Sequence, residues 1–285
     1  MTDASSQMLK EQLKGRRVGL VLSSAYFGFY AHAGFVRGLQ DEGINFAACA
    51  GSSSGSLIAA FTACNALDEA VPTLLSLQRR DFWDPSMPVR RPWGLLRGDK
   101  LQRIIKDALP VKRFEECQTP LLTVSTDLTN GRRKIDETGD LAPAITSSCA
   151  LPFLFQPVIR NGIPYADGGI IDKAPIEALI DRNTVDAVVV HLIHSKSIGR
   201  KAPVAPRRFL NWSLDVCRHS AWQTQARLAE QMGIDTYIIE SEPSKLGPFK
   251  MKEGRTAFER SRARIVEKLQ QPARLFRSDY LIRRG

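Results

Sequence analysis

Hydrophobic positions in the first 70 residues fall into four blocks of alternating periodicity. RRVGLVLSS (16–24) is continuously apolar between basic and small residues, which predicts a buried strand. AHAGFVRGLQDEG (31–43) spaces its apolar residues as a helix does and stops at Gly43. INFAACAG (44–51) is a second apolar run, and SLIAAFTACNAL (56–67) predicts a second helix. Strand, helix, strand, helix is how parallel βαβ units look in a sequence.

Further along, TPLLTVSTDL (119–128) and VDAVVVHLIHS (185–195) are too continuously apolar for half-exposed strands and fit a sheet covered on both faces. Between them, GDLAPAITSSCALP reads as a helix ending at proline, and GIPYADGG as a short strand meeting a turn. The expected fold class is α/β, a doubly wound, mostly parallel sheet flanked by helices. Residues 1–16 form a polar N-terminal segment and 17–200 the core. After the Pro-rich connector RKAPVAPRR, the region 201–285 holds two helix-like segments around the strand-like DTYIIESEP. It is expected to complete the same domain, a separate lobe being the alternative.

Composition sets bounds on this picture. A chain of 285 residues, 43% hydrophobic and 25% charged, has the length for one large domain and the composition of a folded one. Its longest apolar runs are about half the ~20 residues a membrane-spanning helix needs. The start, MTDASSQMLKEQLKGRR, has acids before any base and no apolar segment, so it does not read as a secretory signal, and a cytoplasmic protein is expected. The five cysteines (Cys49, Cys64, Cys117, Cys149, Cys217) are scattered, without C-x-x-C spacing, and are expected to be reduced and mostly buried. No metal or other cofactor is expected.

Charge is uneven. Residues 200–285 carry 18 Lys and Arg against 9 Asp and Glu, which is nine of the ten net positive charges. Such a surface suits an anionic membrane, which the aromatic, proline-broken segment RDFWDPSMPVRRPWGLL (80–96) would also contact. Nucleic acid is the less favoured partner, because no reading motif accompanies the bases.

Candidate chemistry centres on AGSSSGSL (50–57). An apolar strand precedes it and an apolar helix follows, so it is a tight strand-to-helix turn and not a linker. Gly51-Ser52-Ser53-Ser54-Gly55 matches G-x-S-x-G with Ser53 in the middle. At such an elbow the central residue is strained outward, and strand and helix pass so closely that the positions two before and two after must be small. Only Ser53 has glycine at both, which makes it the nucleophile candidate; Ser52, Ser54 and Ser56 fit packing or capping roles.

The serine needs a base. His219 comes late enough for the order serine, acid, histidine, but sits in a helix-like stretch; His191 and His194 flank a strand, and His32 opens a helix. A carboxylate is the other option: Asp167 ends a short strand and is followed by Gly168 and Gly169, a turn that allows close backbone approach.

GLVLS with the AHAG helix, GSSSG, LLRGDKL, STDLTNGR, SSCALPFLFQPV and YADGG occur in one order across residues 17–180. In this the chain resembles the patatin-like phospholipases. The resemblance implies a Ser-Asp dyad without histidine, with Ser53 as nucleophile and Asp167 of D-G-G as base. It also implies a glycine-rich oxyanion loop after the first strand. Here that loop reads Ser23-Ser24-Ala25-Tyr26-Phe27-Gly28-Phe29, so the expected hole is built from the backbone of Phe27, Gly28 and Phe29, with the bulky rings reshaping the acyl pocket. The stretch after D-G-G is likewise altered, to Asp172 and Lys173.

The function expected is cleavage of phospholipid or lysophospholipid esters through an acyl-enzyme. A soluble carboxylesterase or thioesterase, and a catalytically silent patatin-shaped protein that binds lipid or protein, stand as alternatives.

Overall fold

A computed structural model describes residues 7–85, 94–182, 184–194, 204–242, 246–247 and 251–277. Its strands are β1 (Val18–Leu22), β2 (Ala48–Ser52), β3 (Gly94–Leu96), β4 (Leu121–Asp127), β5 (Arg132–Asp136), β6 (Phe153–Phe155), β7 (Val158–Arg160), β8 (Ile163–Asp167), β9 (Ala187–Ile193) and β10 (Asp235–Ser241). Its helices are α1 (Leu9–Leu13), α2 (Phe29–Asp41), α3 (Ser54–Ala63), α4 (Leu67–Ser76), α5 (Arg79–Phe82), α6 (Asp99–Ala108), α7 (Leu141–Ser148), α8 (Ile176–Ile180), α9 (Pro206–Gln231) and α10 (Gly254–Leu269).

The main sheet runs β10-β9-β1-β2-β4-β8-β7, with β5 also paired to β4. From β10 to β4 every pair is parallel; β5, β8 and β7 are antiparallel. The mostly parallel α/β sheet read from the sequence is therefore present. Strands β1, β2, β4 and β9 are buried along their whole length. Pleating sends Leu20 and Val189 into one core with α2, α3 and α10, and Val21, Val188 and Val190 into another with α8 and α9. Burial on both faces is why these strands are continuously apolar.

Strand β4 acts as a ruler for the site. Residues 123–127 pair with β5 along one edge, so β2 and β8 must share the other. β2 ends at Ser52 opposite Val124, and β8, running the other way, ends at Asp167 opposite Ser125. The two strands thus meet end to end, and the residue after Ser52 is brought to Asp167.

Helix α10 packs tightly on α2. A Cβ at Gly34 would lie 2.0 Å from the Phe258 carbonyl oxygen, and one at Gly38 2.4 Å from Ile265 Cγ2. Cysteines far apart in sequence also meet: the Cys64 and Cys117 sulfurs are 3.3 Å apart, whereas Cys217 is exposed. Among the described residues no helix is long and apolar enough to cross a membrane. Of the aromatic segment 80–96, residues 86–93 lie outside the described residues; of the rest, Trp83 is partly exposed, with the Arg79 guanidinium 4.3 Å from its ring centre, and Leu95 is exposed.

Candidate active site

Ser53 sits between β2 and α3 with φ +53° and ψ −125°, a conformation L-residues avoid. The two glycines make the turn sterically feasible. A Cβ at Gly51 would come within 2.4 Å of the Gly55 carbonyl oxygen, and one at Gly55 within 2.2 Å of that of Leu22. Ser53 stands at the N-cap of α3 without using its hydroxyl as a cap. The side chain points instead across the strand junction, and Oγ donates to Asp167 Oδ2 at 2.6 Å.

Neighbouring hydroxyls hold the elbow. The Ser53 N–H donates to Ser148 Oγ (2.9 Å), which in turn donates to the Val124 carbonyl. Ser56 Oγ donates to the Ser53 carbonyl at 2.6 Å, and Ser54 Oγ to that of Ala25 at 2.8 Å. Ser52 is buried without a hydrogen-bond partner for its hydroxyl among the described residues. Ser148 was not singled out from the sequence: it lies in the SSCALP motif, but only the β4 register shows that its hydroxyl faces the elbow.

Asp167 is buried, 3% exposed. Burial raises its carboxyl to about 6, against the opposing effects of the Ser53 hydroxyl, the Gly169 N–H and the Arg218 charge. Gly169 N–H donates to Oδ1 at 2.7 Å, which leaves Oδ2 to Ser53. Glycine is needed at both turn positions: a Cβ at Gly168 would lie 2.1 Å from the Val124 carbonyl oxygen, and one at Gly169 2.4 Å from Ser24 Oγ.

The four histidines lie apart from this pair. His32 Nε2–H donates to the Ser23 carbonyl (2.8 Å), so its Nδ1 accepts from His191 Nδ1 (2.9 Å), whose Nε2 accepts from Ser241 Oγ (2.9 Å). This buried chain is neutral; desolvation lowers His32 to about 3 and His191 well below its ordinary value. His194 pairs with Glu240 at 3.1 Å. On α9, His219 Nδ1 accepts from Trp222 Nε1 (3.2 Å), and its Nε2 lies 2.9 Å from Gln223 Nε2.

In the loop after β1, Phe27 has φ +53°, one of five non-glycine residues with positive φ among the described residues, Ser53 included. The Gly28 N–H donates to the Ala25 carbonyl at 3.1 Å, so this amide, expected in the oxyanion hole, is already engaged. Gly28 instead allows close packing, because a Cβ there would lie 2.5 Å from that of Ala25. Phe29 opens α2. Ring contacts run from Tyr26 to Phe27 (4.9 Å) and from Phe27 to Phe82 (6.3 Å), and the Tyr26 ring is exposed.

The altered positions after D-G-G are buried. Asp172 is paired with Arg133 (2.9 Å) and accepts from Gln225 (3.0 Å), and desolvation lowers Lys173 to about 8. Helix α9 also reaches the turn itself, with Arg218 Nη1 donating to the Gly169 carbonyl at 3.0 Å. In the sequence Arg218 is one of many bases in the C-terminal region, with nothing to mark it. Among the described residues no group of three or more His, Cys, Asp or Glu is placed to hold a metal ion.

The structure thus sets an elbow serine, hydrogen-bonded to a buried aspartate, on a mostly parallel α/β sheet. The chain belongs to the patatin-like phospholipase family, whose model matches residues 20–180. It is 30% identical over 199 residues to an uncharacterized NTE family protein of Mycobacterium tuberculosis, covering 69% of this chain and 54% of the relative. To lysophospholipase NTE1 of Cryptococcus neoformans var. neoformans it is 28% identical over 205 residues, covering 70% of this chain and 12% of that protein. The chain thus spans about half the length of the mycobacterial relative. Among solved structures, VipD from Legionella pneumophila aligns over 91% of this chain and 68% of its own, with 14% identity and a TM-score of 0.49.

Proposed function

We propose that the protein is a serine acyl hydrolase that cleaves carboxylic esters of phospholipids or lysophospholipids. The observation that carries this reading is the 2.6 Å hydrogen bond from Ser53 Oγ, on its strained elbow, to the buried Asp167. Ser53 Oγ attacks the ester carbonyl while its proton passes to Asp167 Oδ2. The tetrahedral oxyanion is met by amides at the uncapped start of α3, beginning with Ser54, and by the loop backbone at Phe27 and Phe29. Collapse expels the alcohol, which takes the proton back from Asp167, and leaves an acyl-enzyme. Asp167 then draws a proton from water, whose oxygen attacks the acyl carbon; the bond to Ser53 Oγ breaks, Oγ takes the proton back from Asp167, and the fatty acid leaves.

Access from a membrane surface fits the exposed rings of Tyr26 and Phe153 and the positive net charge. We therefore place the protein at anionic lipid. Both the relative named as a lysophospholipase and the family description support a lipid ester over a soluble one.

A second reading, a silent lipid- or protein-binding member, is favoured by one observation. The aromatic loop stands where the family has glycines, and its Gly28 amide is already engaged. Fluorophosphonate labelling decides between them. Wild type and His219→Ala should be labelled, Ser53→Ala not at all, and Asp167→Asn slower by a factor of at least about 100. A folded wild type that resists the probe would leave the binding role.

A further inference from the structure

The matched family region ends at residue 180, yet α9 begins at Pro206 and touches the turn that carries Asp167. Three observations define the contact. Arg218 Nη1 donates to the Gly169 carbonyl at 3.0 Å, while the N–H of the same glycine donates to Asp167 Oδ1 at 2.7 Å. The guanidinium is itself oriented from within α9: Nη2 donates to Asp215, and Nε to the Leu214 carbonyl at 3.2 Å. Two turns further on, Gln225 fixes the helix in register, donating to Asp172 Oδ1 (3.0 Å) and accepting from the Glu177 N–H (2.9 Å).

Gly169 is thereby held on both sides. Without a side chain its φ and ψ are less restricted than those of other residue types. Rotation there would swing the N–H off Oδ1 and release the carboxylate from Ser53. A hydrogen bond from a charged donor to the Gly169 carbonyl opposes that rotation. The same guanidinium brings a positive charge to the buried carboxylate.

We propose that Arg218 is a positioning residue for Asp167. From the C-terminal region it clamps the D-G-G turn, so that the site is completed by a helix beyond the matched family region. The inference rests on Asp167 acting as the base where it concerns reactivity, and on geometry alone where it concerns the turn. The charged and titratable groups around the clamp are Asp215 on α9, Lys173 after the turn, whose charge interacts with those of His219 and Glu240, and the Cys149 thiol, which feels the Asp167 charge.

The test compares full-length wild type with Arg218→Met, Arg218→Lys and Arg227→Met, the last removing an exposed charge from the same helix. Two quantities are measured: hydrogen exchange of the 167–171 amides, and the rate of fluorophosphonate labelling from pH 5 to 8. In Arg218→Met the Gly169 amide should exchange faster. With the positive charge gone, the ionised Asp167 is less favoured, so the acid limb of labelling should move to higher pH. Arg218→Lys should restore the limb, and Arg227→Met should match wild type in both measurements.

A labelling rate reduced by the same factor at every pH, with the limb unmoved, would overturn the proposal. So would unchanged exchange at Gly169 in Arg218→Met. Wild type unlabelled at every pH would sink the hydrolase reading instead, and faster Gly169 exchange in Arg218→Met would then still uphold the clamp.

Discussion

Asp167 is held ionised near neutral pH in a place that disfavours its charge, and this sets both its reactivity and its cost. Its carboxyl, raised by burial to about 6, is a stronger base than an ordinary aspartate. Labelling and ester hydrolysis should therefore rise with pH through about 6 and level off above it. The stability consequence has the opposite direction. The folded state binds this proton more tightly than the unfolded chain, so its contribution is greatest below the unfolded value of 3.8 and is lost as pH rises towards about 6. Asp167→Asn should be more stable than wild type by up to about 3 kcal/mol at pH 7, the advantage vanishing below pH 4, as read by urea unfolding. Ser53 stores strain of a different kind. Ser53→Gly and Ser53→Ala both remove the hydroxyl, but only glycine accepts φ +53° and ψ −125° freely. The glycine variant should be the more stable of the two by about 1–2 kcal/mol in the same assay.

The close approach of elements explains several glycines by a single steric argument. Gly51, Gly55 and Gly168 let a strand, a helix and a turn converge where β2 and β8 meet, and any Cβ there would strike a backbone carbonyl oxygen. The first two were recognisable in the sequence, because G-x-S-x-G carries its own steric logic. Gly34 and Gly38 were not: AHAGFVRGLQDEG announces a helix and says nothing of what lies on it. Only the fold shows that α10, more than 200 residues later, rests on that face. Gly34→Ala should destabilise the protein by about 2–3 kcal/mol, through contact with the Phe258 carbonyl rather than through helix propensity, which alanine improves. Thermal unfolding checks this, and unchanged stability would mean that α10 is not seated on α2.

For the whole molecule, the net charge of +10 is a statement about association, not about fold. If anionic lipid is the working surface, co-sedimentation with phosphatidylglycerol-containing vesicles should exceed that with pure phosphatidylcholine. It should also weaken as NaCl rises from about 0.05 M to about 0.5 M. Binding indifferent to both would remove electrostatics as the reason for membrane approach. The charge sum also hides different fates for single bases. Arg133 is half-buried against Asp172, Arg218 faces the D-G-G turn, and Arg227 is exposed.

By itself the sequence determined the central strands and the helices between them, the elbow at Ser53 and the turn at Asp167, but not the short antiparallel strands β5 and β7 at the sheet's edge. The features it determined depend on local rules: apolar periodicity, glycine where backbones crowd, and a turn dipeptide after a strand. Tertiary structure decided the rest. No spacing rule sets Ser53 against Asp167 across 114 residues; that came from the consecutive pairings of Ser52 and Asp167 along β4. Nor could a pattern show that Ser148 and Arg218 support the two ends of the pair, since both contacts join elements distant in the chain. The carboxyl's shift likewise arises from burial, which no single segment contains.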